Sequence, residues 1–196
     1  MLYVLCLPRF AAADADRIDA FRRRHEPARA TLVPPHLTLV FGGAMACRQV
    51  LETALAAFAA TEPAFGLTLG DPHTHLDDRR REYAFYLRAL DGRGPLTRLH
   101  AALHDGPGLP ARRPDTPFDP HLTLTGAPEA EPVRAAAAAF ASDAWPLPVR
   151  GHVDAVEIVQ LLEGRLDRLT RVPLAGSVPL AEKSATGEAC PQDVRS

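Results

Sequence analysis

The pentapeptide PHLTL occurs twice in this chain, at residues 35–39 and 120–124, with its two histidines 85 positions apart. Each copy lies in a short apolar run, PPHLTLVFGG and DPHLTLTGA, entered from proline and followed by glycine, which is how a strand is punctuated. Strand side chains alternate, so His36 and Thr38 share one face while Leu37 and Leu39 share the other. His121 and Thr123 repeat this against Leu122 and Leu124. A chain that buries both leucine faces presents two faces that each carry an imidazole and a hydroxyl.

Two such faces set opposite each other form a reaction centre. An imidazole titrates near neutrality, so one can accept a proton while the other donates one. Displacement at phosphorus uses both roles: the nucleophile loses a proton and the leaving oxygen gains one. The nonbridging oxygens can meanwhile take hydrogen bonds from hydroxyls such as those of Thr38 and Thr123. No metal is needed for any of these steps.

The pair HLTL and HLTL resembles the duplicated signature of the two-histidine (2H) phosphoesterases, the superfamily of 2'-5' RNA ligases and 2',3'-cyclic phosphodiesterases. The lead-in FRRRHEPARATLVPPHLTL resembles a bacterial branch in which an arginine-rich helix end and a proline-containing connection enter a PPHxTL strand. The resemblance covers about residues 1–175. It implies an α+β fold, with two pseudo-symmetric lobes of antiparallel sheet and flanking helices around a central cleft. His36, Thr38, His121 and Thr123 would be the catalytic set, with His36 as acid and His121 as base. The implied partner is an RNA end or a small nucleotide bearing a cyclic phosphate, and no cofactor or metal is implied. Many members carry a basic residue shortly after the second HxTx, whereas Thr125 and Gly126 follow here.

Composition sets outer bounds. The 196 residues, 46% hydrophobic, suffice for one sizeable core or two small lobes. A net charge of -2 argues against a general surface for long nucleic acid, so a phosphate site must be local. Cys6, Cys47 and Cys190 are odd in number and lack CxxC spacing, so neither a disulfide framework nor a zinc knuckle is expected. Because the apolar start is too short for a signal peptide and no run of 18 apolar residues exists, a cytoplasmic protein with no membrane partner is expected. Nothing demands an oligomer, and a monomer is expected.

Along the chain, a strand is expected over 2–7 and a helix over 14–25, with Asp14 at its start, three arginines at its end and Pro27 stopping it. The first motif strand spans 36–41 and an amphipathic helix 48–61. Strands over 65–69 and 83–90 make a hairpin around the polar stretch DPHTHLDDRRRE, whose Asp71, His73, His75, Asp77 and Asp78 offer ligands for a metal hydrolase, the third alternative to hydrolysis by the two histidines after 2'-5' RNA ligation and binding of a cyclic phosphate or RNA end without turnover. If the hairpin borders the motif strands, Tyr83 and Arg79–Arg81 can reach a substrate. A helix over 96–103 carries His100 and His104, but alanine at 101 breaks the zinc-protease pattern HExxH. The loop before the second motif offers Arg112 and Arg113 to a phosphate and Phe118 to a base. A helix over 131–142 and extended segments over 145–149, 153–162 and 165–174 follow. Residues 176–196 lose all periodicity and are expected to be a disordered tail.

Overall fold

Each PHLTL copy forms a strand at the edge of its own antiparallel sheet in the computed structural model, which describes residues 1–77, 81–112 and 117–177. In chain order the elements are β1 (Leu2–Cys6), β2 (Arg9–Phe10), α1 (Ala12–His25), α2 (Pro27–Leu32), β3 (Leu37–Gly43), α3 (Arg48–Ala59), β4 (Phe65–Asp77) and β5 (Glu82–Asp91). There follow α4 (Arg93–Ala102), β6 (His121–Ala127), α5 (Ala130–Ser142), β7 (Val149–Val153), β8 (Ala155–Leu162) and β9 (Arg165–Pro173). One sheet runs β3-β1-β8-β9 and the other β2-β7-β4-β5-β6, so the architecture is α+β with two lobes.

The repeat in the sequence becomes a repeat in structure. β1, α1 and β3 in the first half match β5, α4 and β6 in the second: a strand, a helix, then the motif strand paired antiparallel to the first. Each motif strand also carries a bulge at the same letter. Val40 pairs with Val4 and Thr38 with Leu5, leaving Leu39 over; Thr125 pairs with Phe85 and Thr123 with Tyr86, leaving Leu124 over. The extra residue lets two neighbours be buried in succession, Leu39 with Val40 and Leu124 with Thr125, where strict alternation would expose one. The helices change sides, for α1 packs on β6 and α4 on β3. That exchange and the contact of β3 with β6 tie the lobes together.

A single cluster of buried side chains runs through both lobes, including Leu37, Leu39, Leu122 and Leu124 of the motifs, Phe85 and Leu87 of β5, and Leu51 and Leu55 of α3. Each such leucine, removed from water, contributes about 1.5–3 kcal/mol, so the motif leucines anchor the histidines they alternate with. The opposite face of the first sheet carries Thr38, Leu5 and Glu157 in one cross-strand row.

Several expectations are corrected. Pro27 does not merely stop a helix: it opens α2, because at the first helical position its missing N–H would have had no acceptor. The first long helix starts at Ala12, and Asp14 lies within its first turn, paired with Arg17 at 3.1 Å. The polar stretch after residue 69 is largely strand. β4 continues to Asp77 through a register shift between Gly70 and Pro72, with Asp71 at φ 46. No strand covers Trp145, which packs on Phe21 and Phe140, and β7 begins only at Val149. Residues 178–196, where the tail is expected, lie outside the described residues, as do Asp78, Arg79, Arg80 and Arg113. Among the described residues no helix is long and apolar enough to cross a membrane.

Candidate active site

The two motif histidines are wired identically. His36 donates Nδ1–H to the carbonyl of Pro34 at 2.7 Å, and His121 donates Nδ1–H to the carbonyl of Asp119 at 2.6 Å, each reaching two residues back. A carbonyl can only accept, so Nδ1 keeps its hydrogen and Nε2 is the nitrogen that exchanges protons in both rings. Among the described residues nothing bonds either Nε2, and the hydroxyls of Thr38 and Thr123 are likewise unengaged. A charge on His121 lowers the proton affinity of His36, which places the two rings within electrostatic reach.

Their surroundings differ. His36 keeps some accessible edge, yet burial, with Arg22, Arg29 and His121 adding to it and the Pro34 carbonyl opposing, pushes its pKa down to about 4. Burial also lowers the His121 pKa. There the Asp119 carbonyl and carboxylate pull it back up, while His75 and Arg88 push it further down. Both rings are therefore neutral at neutral pH in the protein alone. An anion placed beside them would raise both values and favour a proton on one ring.

Around His121 stands a built wall. Tyr86 of β5, 5% exposed, stacks on the imidazole with centroids 4.1 Å apart, and His73 of β4 packs on the other side of Tyr86 at 5.5 Å. Arg88, paired in register with His121, donates Nε–H to the Asp119 carboxylate at 2.9 Å and Nη1–H to Asp71 at 3.1 Å. Arg93 at the start of α4 holds the other Asp119 oxygen at 3.1 Å. The left-handed turn at Asp71 is what brings its carboxylate to Arg88. Asp119 is thus fixed through its side chain while its carbonyl aims His121.

After the second motif, where Thr125 and Gly126 stand, the chain is locked to the first helices. The Thr125 hydroxyl donates to the His25 carbonyl at 3.2 Å and the Gly126 amide to the Glu26 carboxylate at 3.0 Å. Arg29 of α2 lies over this glycine, paired with Glu26 at 3.0 Å and Glu82 at 2.7 Å. A Cβ at Gly126 would meet Glu82 Oε1 at 2.7 Å and Arg29 Nη1 at 3.1 Å. A cation thus stands beside this strand end, supplied by a different element.

The structure brings His36, Thr38, His121 and Thr123 to the facing edges of the two sheets. Three of the other expected residues, Tyr83, Phe118 and Arg112, have partners elsewhere. Tyr83 alternates with Tyr86 and packs against the core beside Phe85. Phe118 stacks on His100 at 4.0 Å, and Arg112 is ion-paired with Asp105. Arg113 lies outside the described residues. His104 faces the carbonyls of Pro110 at 2.7 Å and Leu39 at 3.1 Å, so it ties its loop to β3. His73 and Asp71 serve the wall just described, and among the described residues no three His, Cys, Asp or Glu side chains form a metal-sized group. Tyr86, Arg88 and Asp119 were not singled out in the sequence; Asp119 had the one available signal, its place two residues before a motif histidine.

Comparison with known proteins bears on the family and the fold. The profile described as the 2'-5' RNA ligase superfamily matches residues 10–165. Among solved structures, E. coli LigT complexed with 3'-AMP is 22% identical, covers 89% of this chain and 97% of its own, and superposes with a TM-score of 0.56. TT0787 of Thermus thermophilus is 16% identical, with coverage of 90% and 99% and a TM-score of 0.57. Kluyveromyces marxianus Usb1 is 13% identical, with coverage of 88% and 98% and a TM-score of 0.55. No curated protein sequence matches the chain. A duplicated HLTL, a matching bulge in each copy and a family profile spanning most of the residues place this chain in the 2'-5' RNA ligase superfamily of two-histidine phosphoesterases.

Proposed function

We propose that the protein is a metal-independent phosphodiesterase that hydrolyses a 2',3'-cyclic phosphate, or a related phosphodiester, at an RNA end or on a small nucleotide. The observation that carries this reading is the identical wiring of His36 and His121, each with Nε2 open and an unengaged threonine two residues on. Water gives a proton to one Nε2 as its oxygen bonds to phosphorus. The bond from phosphorus to one ribose oxygen breaks, and that oxygen takes the proton of the other Nε2–H. Thr38 and Thr123 donate to the nonbridging oxygens as charge builds on them. LigT has been crystallised with 3'-AMP, a ligand of the size such a cleft suits.

The resemblance assigns His36 as acid and His121 as base. Each ring has a carbonyl that favours its proton and cations that oppose it, Arg22 and Arg29 at His36 and His75 and Arg88 at His121, and His121 alone has a carboxylate, that of Asp119, in its favour. A substrate with a p-nitrophenolate leaving group decides between them: it needs no acid, so the variant lacking the acid histidine is the one it rescues.

The test is purified protein with 2',3'-cyclic nucleotides and with oligonucleotides ending in a cyclic phosphate, in EDTA, with product position resolved. A single monophosphate isomer is expected. Tight binding without product would replace the enzyme by a binding protein. The family description favours ligation as the second reading, in which an RNA 5'-hydroxyl takes the place of water and a 2'-5' linkage is the product.

A further inference from the structure

Arg22, Arg23 and Arg24 follow one another at the end of α1, where cations suit the helix dipole and solvent is at hand. Arg23 and Arg24 are exposed as that reading requires, but Arg22 is 1% exposed. Its Nη2–H donates to the carbonyl of Val33 at 2.9 Å, and among the described residues its Nε and Nη1 find no hydrogen-bond partner. Glu26, itself buried, gives one oxygen to Arg29 and the Gly126 amide, and its other oxygen makes no hydrogen bond among the described residues, so Glu26 and Arg22 favour each other's charge without a direct ion pair. Burying a guanidinium costs several kcal/mol, and an apolar side chain of similar volume would fill the same space without that cost. Glu26 and Asp19 offset part of that cost by charge, but neither bonds the guanidinium, so its single hydrogen bond is the specific feature of the site.

Its one bond supplies a reason. Val33 caps α2 and is followed directly by Pro34, Pro35 and His36. The Pro34 carbonyl is the acceptor that aims the His36 ring, and the two prolines make the span between Val33 and His36 stiff. A clamp on the Val33 carbonyl therefore fixes the acceptor one residue further on.

We propose that Arg22 is the positioning residue of His36, holding the carbonyl segment that orients its ring and placing a fixed positive charge beside it. This rests on the two-histidine reading given above. Arg22 acts through His36 and touches no substrate. The charges that face His36 are Arg22 from α1, Arg29 from α2 and His121 from β6, and all three lower its proton affinity after burial has done so. The field of Arg22 does not figure among those that shift His121.

The experiment follows the ring signals of His36 and His121 by NMR across pH in wild type, Arg22→Met and Arg22→Lys, beside kcat and KM on a 2',3'-cyclic nucleotide. In wild type His36 titrates at about 4. Arg22→Met is expected to raise that midpoint while burial still holds it below the ordinary histidine value, leave His121 in place, and lower kcat about 10- to 100-fold with KM changed little. Arg22→Lys keeps the cation and should hold the His36 midpoint and recover part of the rate. If Arg22→Met leaves His36 titrating as in wild type, or moves His121 equally, the proposal is overturned. Should that variant not fold, Arg22→Gln, which keeps an N–H for the Val33 carbonyl and removes the charge, takes its place: a raised His36 midpoint with His121 unmoved upholds the claim, and an unmoved His36 midpoint overturns it. Because the titration needs no turnover, it separates failure of this inference from failure of the phosphodiesterase reading.

Discussion

The ring of Tyr86 lies stacked on the imidazole of His121, with centroids 4.1 Å apart and planes inclined by 28°. The stack and the Asp119 carbonyl together restrict the ring, one fixing its plane and the other its rotation. Tyr86→Leu keeps most of the volume and removes the flat face, so kcat should fall about 10-fold with little change in KM. Tyr86→Phe retains the stack and should stay within about 3-fold of wild type. Steady-state kinetics on one cyclic nucleotide would compare the two; equal losses would show that the hydroxyl rather than the face matters.

Both active-site histidines have pKa values below the ordinary 6.5. The acid and base of the free enzyme set the two limbs of kcat/KM, so its maximum should lie on the acid side of pH 6.5. Asp119→Asn removes the carboxylate that raises the His121 value, and His121 should then titrate lower still, as read from its ring signals. A His121 midpoint that rises in this variant would contradict the assignment.

Stability should respond to acid with a definite sign. His36 and His100 titrate at about 4 in the folded protein and near 6.5 unfolded, both through burial first. Between these values the unfolded chain binds more protons, so their contribution is intact above pH 6.5 and is lost as pH falls through that window towards 4. Glu26, whose pKa burial raises, opposes the trend. Thermal melts of wild type and His100→Gln should show the variant losing less Tm between about pH 7 and about pH 5.

Gly126→Ala should cost about 1–3 kcal/mol, because the new methyl meets the Glu82 and Arg29 side-chain ends that lie over the glycine. Denaturant unfolding at neutral pH checks this; a neutral change would mean that those side chains give way freely.

How much of this was legible in the sequence depends on the range of the signal. The HLTL strands could be read because alternation is local and each copy repeats the other. The bulges at Leu39 and Leu124 were hidden, since only the partner strand reveals an extra residue. Tyr83 was expected near a substrate and Tyr86 was not, a choice on a strand whose facing depends on register. The strand expected over 65–69 stops short of the observed β4 because Pro72 and the charges after it mimic a loop, yet at the bulge no ladder hydrogen bond from Pro72 is required. Arg22 was read with Arg23 and Arg24 as a helix end. Its burial follows from α1 crossing to the other lobe, a long-range fact that no local pattern carries.

The central claim is that His36 and His121 are the acid and base of one reaction. The most direct measurement is the rate of 2',3'-cyclic nucleotide hydrolysis in EDTA by wild type, His36→Ala and His121→Ala, with folding checked by circular dichroism. The account predicts turnover by wild type and a loss of about 10²–10⁴-fold or more in each variant. A folded variant that keeps most of the wild-type rate would contradict it.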